Sequence, residues 1–438
     1  MFVVIIGCAA CAAPRGSPSA LSDIAPGQRP ALHTDEAGLW MVMDRMEERL
    51  RSSGRLLTDT NFTAGGLTDL GLADPNLADT SLPDVDLGAG GLTDPTLADP
   101  KLADINLTAD RSTTPDLHSY VRQIVCKLAG SYCSDIRVYV VQNPHFNATM
   151  APNGAMQVWT GLILRAENEA QLACVLGHEL GHYLRRHTLQ QFRDVRSKAD
   201  FLAFLSVAAA LAGAGYVGPL ATLIALGSVY KFSRDQEREA DELGFELMVR
   251  AGYDPREASR IWEVLVKERE AAEDPDQFIF FSTHPPTDER IETLKEMAEK
   301  AVADEEHWFV GKERFRVATL PLRATFLRDE LRQREFARSQ VVLDRLFESD
   351  IGLGELNFFQ GKLHRLRGEE GDEDKAIAAY QKALGFEDAP EETNRDLGLL
   401  FFRAGAKDKA RSYFEQYIQG RPDAEDAEMI KTYLEQLK

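Results

Sequence analysis

Positive charge is in short supply in this sequence. Lys and Arg number 50 against 70 Asp and Glu, a formal net charge of −20 over 438 residues, which argues against nucleic acid or an anionic lipid surface as a partner. No apolar run is long and unbroken enough to cross a bilayer, which takes about 20 residues. The nearest approach, Phe201 to Tyr230, carries no charge, but Gly213-Ala214-Gly215-Tyr216-Val217-Gly218-Pro219 splits it. A buried or interfacial helical hairpin is expected there rather than a transmembrane pair. Glutamate is missing from Leu57 to Asp110, where ten Asp against one basic residue, Lys101, supply nine of the net negative charges.

The N-terminus lacks the basic segment that opens a secretory signal, and its apolar run is short. Ile5-Ile6-Gly7-Cys8 nevertheless resembles a bacterial lipobox, and the expectation drawn from it is export with a lipid on Cys8. Cys126 and Cys133 are close enough in sequence for a local disulfide in an oxidising compartment, or are two reduced core thiols. Cys174 lies in a helical pattern and reads as a buried thiol.

Composition shifts divide the chain. Residues 1–13 are the lipobox-like segment, 14–35 a tether rich in Pro, Gly, Ser and Ala, and 36–56 the first helix of a globular domain. From Leu57 the residues Phe62, Leu67, Leu72, Leu77 and onward to Leu107 fall at intervals of five without a slip. Five is neither the helical nor the strand period, so 57–114 is a tandem repeat of its own. It is similar to pentapeptide-repeat solenoids, although Pro75, Pro95 and Pro100 sit where such coils prefer a small residue; a flexible acidic insertion is the other reading. The main globular domain is expected over 115–305, with strands at Ile136–Val141 and Ala155–Trp159 and helices over Glu167–Leu189 and about Arg234–Arg250. A linker over 306–329 then leads to a helical domain over 330–438.

That last segment resembles tetratricopeptide repeats. Leu397, Gly398, Phe401, Ala410, Phe414, Tyr417 and Pro422 stand at the offsets of one repeat, and Ala376, Tyr380 and Ala383 lie one 34-residue period earlier. Gly361 comes three residues early, which implies a longer Gly368–Asp374 loop. A degenerate third repeat is placed at Phe336–Asp350.

The chemistry concentrates in His178-Glu179-Leu180-Gly181-His182. On a helix two His four residues apart project from one face, one turn apart, the reach needed for two imidazole nitrogens to hold one Zn2+ at about 2.1 Å. Glu179 is rotated off that line, where it can serve as general base on a water. A metzincin would continue to Gly at 185 and His at 188; the chain has Arg185 and Thr188, and His187 comes one place early. A downstream acidic ligand is needed instead. Glu237 and Asp241, again four apart, offer a zinc ligand and a residue that orients a ligand histidine, while Glu239 and Glu242 read as a solvated face.

With these motifs the chain resembles the BepA/LoiP-type periplasmic gluzincins, in the family of HtpX and the CAAX prenyl endopeptidase. The likeness covers about 36–56 and 115–300 and includes Asn147-Ala148-Thr149-Met150-Ala151-Pro152-Asn153-Gly154 and Thr283-His284-Pro285-Pro286-Thr287-Asp288-Glu289-Arg290. Asn153 departs from the family's usual Pro-Gly-Gly turn. The resemblance implies an α+β fold, a mainly helical gluzincin metallopeptidase domain with a small sheet, followed by an all-α tetratricopeptide-repeat domain. It implies one Zn2+ per chain, held by His178, His182 and Glu237. His284 would gate the open zinc position or donate to an oxyanion, and Arg290 would be its partner, stabilising negative charge on the tetrahedral intermediate.

An extended substrate is expected to add to the edge strand Ala155, Met156, Gln157 and Val158, a mode that reads backbone rather than side chains and suits unfolded or misassembled chains. The expected protein is a zinc endopeptidase of envelope quality control, periplasmic and held at the outer membrane by its lipid alone, with a protein partner on the repeats. The competing reading is a largely autoinhibited, zinc-bound chaperone or assembly module.

Overall fold

Val138 and Val140, alternating with half-buried neighbours, make strand β1 (Arg137–Val141) the start of a three-stranded sheet. The computed structural model describes residues 26–27, 34–57, 116–196, 232–272, 280, 284, 288–302 and 307–437. Cys8, the five-residue repeat beyond Leu57, the Phe201–Tyr230 segment and most of the Thr283–Thr287 motif lie outside these residues.

The strand order is β1-β3-β2, with β2 at Ala148–Met150 and β3 at Ala155–Trp159. β3 pairs in parallel with β1, from Arg137 opposite Ala155 to Val141 opposite Trp159, and antiparallel with β2, with Thr149 opposite Gln157. This corrects the expected substrate edge. Ala155, Met156, Gln157 and Val158 are in the central strand, bonded on both sides, and the edge belongs to β2, too short for alternation to reveal. Trp159 N–H donates to Asn147 C=O (3.1 Å) and Ala151 N–H to Ala155 C=O (2.9 Å). The main-chain groups of Ala148 and Met150 therefore face away from β3. The far edge, β1, is occupied: Leu57 N–H donates to Val140 C=O and Gln142 N–H to Arg55 C=O.

Helix α1 (Thr34–Arg51) packs Leu39 and Met43 against Leu189 and Phe192. Its anchor is Glu47, which accepts from Arg137 Nε (2.6 Å), Tyr139 Oη (2.6 Å), Arg51 (2.7 Å) and Asn153 Nδ2 (3.0 Å). Asn153, the departure in the turn, thus ties the β2–β3 turn to α1 through Glu47 and Asp44 (2.8 Å). Burial works against the charged carboxyl, but Arg137 and Tyr139 outweigh it and lower Glu47 to about 2. A depressed carboxyl stabilises above its unfolded pKa, near 4.5, and loses that contribution as pH falls toward 2. Glu47→Gln is expected to cost about 1.5–3 kcal/mol at pH 7, a difference that shrinks across this window. Urea unfolding of both proteins from pH 7 to pH 3 checks it; a constant difference would contradict the ionic account.

Helix α2 (Leu117–Ala129) is capped by Asp116, which accepts from Ser119 N–H, and its end is joined to the 3₁₀ turn Gly130–Asp135 by a Cys126–Cys133 disulfide. After α3 (Thr160–Arg165), helix α4 (Glu169–Leu184) starts at the Asn168 cap and is buried over nearly its whole length. The single helix expected over Glu167–Leu189 is instead two. Arg186 adopts φ +57°, the chain turns, and α5 (His187–Arg196) begins. Helix α6 (Arg234–Arg250), opened by a Ser233/Gln236 capping box, crosses α4 at glycines. A Cβ on Gly181 would stand 2.7 Å from Ala240 O, and one on Gly177 2.8 Å from Gly244 O.

Helices α7 (Glu257–Ala271) and α8 (Asp288–Val302) complete this part. The span 306–329, expected as a linker, is largely helix α9 (Lys312–Arg332), which buries Phe315, Ala318, Phe326, Leu327 and Leu331. The apolar spacing that makes it a packed helix is interrupted by six Arg and Lys residues and by Pro321, which hide it in sequence. Beyond it run α10 (Phe336–Phe347), α11 (Leu353–Arg367), α12 (Asp372–Ala383), α13 (Glu392–Arg403), α14 (Lys407–Gly420) and α15 (Ala427–Gln436). The Tyr380 ring seats on Gly361 and the Phe414 ring on Gly398, so α11 pairs with α12 and α13 with α14. The extra residues after Gly361 are shared between the end of α11, the turn and the start of α12, not confined to one loop.

These helices share one continuous apolar core with the sheet and α4. At the junction Arg165 is buried and paired with Glu268 (2.6 Å) and Glu330 (3.0 Å), joining α3, α7 and α9. Removing one partner of such a buried group strands a charge, whereas the intact group is roughly neutral to stability.

Candidate metal centre

His178 and His182, one turn apart on α4, turn their Nε2 atoms to within 3.0 Å of each other. The glycine crossing brings α6 close enough for Glu237 to join them. Its Oε1 is 3.4 Å from His182 Nε2 and its Oε2 3.6 Å from His178 Nε2. His284 supplies a fourth corner: Nδ1 is 3.0 Å from Glu237 Oε1 and 3.3 Å from His178 Nε2. All four residues are buried, and their ligand atoms lie within 4.8 Å of one another. Four ligands placed about 2.1 Å from a tetrahedral zinc stand about 3.4 Å apart, so the set fits such an ion. Glu237 Oε2 is buried with no hydrogen-bond donor, as an oxygen reserved for a cation would be. Burial holds His178 and His182 well below the usual imidazole range, hence neutral, the form that ligates metal.

Glu179 faces this cluster from the adjacent helix position. Its Oε1 is 3.5 Å from His284 Nε2 and accepts no hydrogen bond. Burial pushes the carboxyl up to about 7 against the pull of His284, and the backbone of Met150 on β2 also lies at this group. The base candidate and the open sheet edge therefore adjoin.

Asp241 Oδ1 lies 2.9 Å from His178 Nδ1, the place expected for an orienting carboxylate. Arg290, expected as the partner of His284, packs against the ligand His178. Its Nη2 reaches Asp241 Oδ1 (2.5 Å) and His178 Nδ1 (2.7 Å), its Nη1 lies 3.6 Å from Glu237 Oε2, and its guanidinium stacks on Trp262 at 3.8 Å. Nη2 also stands 3.2 Å from His178 Nε2, the atom that His284 Nδ1 approaches to 3.3 Å. Asp241 and Trp262 hold the guanidinium there, against the ligand His178 and beside Glu237.

Four further residues complete the surroundings. Phe232 stacks on the His182 ring (3.8 Å, 24°) and Phe280 on that of His284 (4.5 Å, 21°). His187 Nδ1 lies 2.9 Å from His182 Nδ1, and His187 Nε2 lies 3.1 Å from Glu239 Oε2. No spacing rule exposes His187, because the turn at Arg186 that returns it to His182 uses no glycine.

Residues 111–298 match Peptidase family M48. The chain is 33% identical to the mitochondrial metalloendopeptidase OMA1 of Schizosaccharomyces pombe over 187 residues, 42% of this chain and 53% of that one. It is 36% identical to the Arabidopsis thaliana OMA1 over 160 residues, 36% of this chain and 30% of that one. To the beta-barrel assembly-enhancing protease of Escherichia coli it is 25% identical over 213 residues, 46% and 43% of the two chains. The chain thus spans about a third to a half of the length of these curated relatives. The matches support a metalloendopeptidase of gluzincin type.

Proposed function

We propose that this metalloendopeptidase is zinc-dependent and cleaves extended, unfolded or misassembled polypeptides of the bacterial cell envelope. The observation that carries the reading is the buried set His178, His182, Glu237 and His284 with the Glu179 carboxyl, whose Oε1 accepts no hydrogen bond, beside it. Two imidazoles and one carboxylate are the donor set of catalytic zinc. Zinc bound there would supply Lewis acidity, drawing the pKa of a water toward neutrality and polarising a carbonyl. Glu179 takes the proton from the attacking water and returns it to the leaving amine. Asp241 fixes the His178 ring, and Arg290 fixes Asp241.

The substrate lies along β2, where the outward N–H and C=O groups of Ala148 and the C=O of Met150 pair with its main chain beside Glu179. Pairing of this kind ignores side chains but needs an extended strand, which supports unfolded chains as substrates. The helices α11–α14 are read as tetratricopeptide repeats that hold a protein partner, and Cys8 as a lipidated anchor to the outer membrane. No helix among the described residues is long and apolar enough to cross a membrane.

One observation favours a second reading. His284 Nδ1 stands close enough to His178 and Glu237 to serve as a fourth ligand to a zinc held there, which would close the centre and leave the protein an autoinhibited assembly module until His284 withdraws. Reduced, unfolded casein tests both. Chelator-sensitive cleavage is expected from wild type and faster cleavage from His284→Ala. Equal rates would remove the gate, and no cleavage by either protein would overturn the peptidase reading.

A further inference from the structure

The two ligand histidines are supported differently. His178 Nδ1 meets a carboxylate directly, Asp241. His182 Nδ1 meets a second imidazole, His187, which in turn meets Glu239. A histidine that binds metal through Nε2 carries its proton on Nδ1, and that N–H needs an acceptor. With His182 donating, His187 Nδ1 must be unprotonated, so the His187 proton sits on Nε2 and is donated to Glu239 Oε2. Every proton in the chain His182–His187–Glu239 then has one place. His187 is fully buried and Glu239 is 41% exposed at its side chain, so the series runs from the metal centre to solvent.

The turn at Arg186 is what makes this possible. Its positive φ ends α4 and starts α5 with His187 folded back onto His182. Phe232, stacked on the face of the His182 ring, restrains it in the remaining direction.

We infer that His187 is a positioning residue for the metal site: it accepts the Nδ1–H of His182, is itself oriented by Glu239, and so fixes the tautomer and ring plane in which His182 holds zinc. The inference rests on the zinc reading above. It extends to Glu239 a role distinct from the solvated face that its exposure alone would assign.

Zinc affinity, measured on the full chain by competition with a chromophoric chelator, tests it alongside the melting temperature of the metal-free protein. His187→Leu is expected to bind zinc about 10–100-fold more weakly. His187→Gln, whose side-chain carbonyl can accept the same N–H, should stay within a few-fold of wild type. Glu239→Ala, at an exposed position that does not endanger folding, should lose about threefold to tenfold. Metal-free melting of Glu239→Ala and His187→Gln should match wild type. His187→Leu binding within twofold of wild type would overturn the inference, as would equal losses in His187→Leu and His187→Gln. If His187→Leu does not fold, unchanged affinity in Glu239→Ala would overturn it alone. His182→Ala is the control for the underlying reading. Unchanged zinc affinity there, or no zinc on wild type, removes the metal site itself, whereas loss in His182→Ala with His187→Leu unaffected removes only the relay.

Discussion

Glu179→Gln should lower peptide hydrolysis by roughly 10²–10⁴-fold, the range that a positioned general base contributes, while leaving bound metal unchanged. The carboxyl oxygen Oε1 accepts no hydrogen bond, so an amide of the same shape breaks no contact there. Glu179 is not among the four clustered ligands, so the metal loses no donor. What the amide cannot do is take a proton and give it back. A carboxyl pushed by burial to about 7 is matched to that exchange near neutral pH. Folding should not suffer, because the substitution removes a buried ionisable group rather than adding one. Casein cleavage within tenfold of wild type would take the base role away from Glu179.

Gly244→Ala should damage the centre without touching a ligand. The added methyl would lie 2.6 Å from His178 N and 2.7 Å from Gly177 C, both backbone atoms that cannot swing aside. The helices α4 and α6 must therefore separate, at a cost of about 1–3 kcal/mol. Glu237 rides on α6 and the two histidines on α4, so the same separation pulls the third ligand from the first two. Zinc affinity is expected to fall by about tenfold or more, since ligand sites tolerate only ~0.5 Å of displacement. Glu242→Ala, on the exposed face of the same helix, is the control and should change neither stability nor affinity appreciably. A Gly244→Ala protein with wild-type affinity would show that the close crossing does not set the ligand geometry.

The metal cluster was the part most legible in sequence, for a geometric reason. His178 and His182, like Glu237 and Asp241, are paired at four residues, and helical periodicity alone puts each pair on one face. The outline of a mainly helical unit with a small sheet was legible too, since Val138, Val140, Met156 and Val158 sit in short alternating runs. What stayed hidden depends on pairing and on turns. β2 is three residues long, so nothing announced that it, and not β3, forms the edge beside Glu179. Arg290 was placed at this centre by resemblance alone, and its contacts with Asp241 and Trp262 follow from charge and stacking that no spacing encodes. His187 failed a spacing test written for a third metal ligand, and its nearness to His182 follows from a left-handed residue, Arg186, that has no sequence signature. Helix α9 was read as a linker because arginines interrupt its apolar face. Asn153 looked like a minor lapse from a turn pattern, yet its amide holds the turn to α1.

The central claim is that His178, His182 and Glu237 hold a metal at which Glu179 drives peptide hydrolysis. The most direct measurement determines metal content and casein cleavage in the same samples of wild type and Glu179→Gln, purified in parallel. One zinc per chain is expected in both, and chelator-sensitive cleavage in the wild type alone. Cleavage surviving in Glu179→Gln, or chains of both kinds that hold no metal, would contradict it.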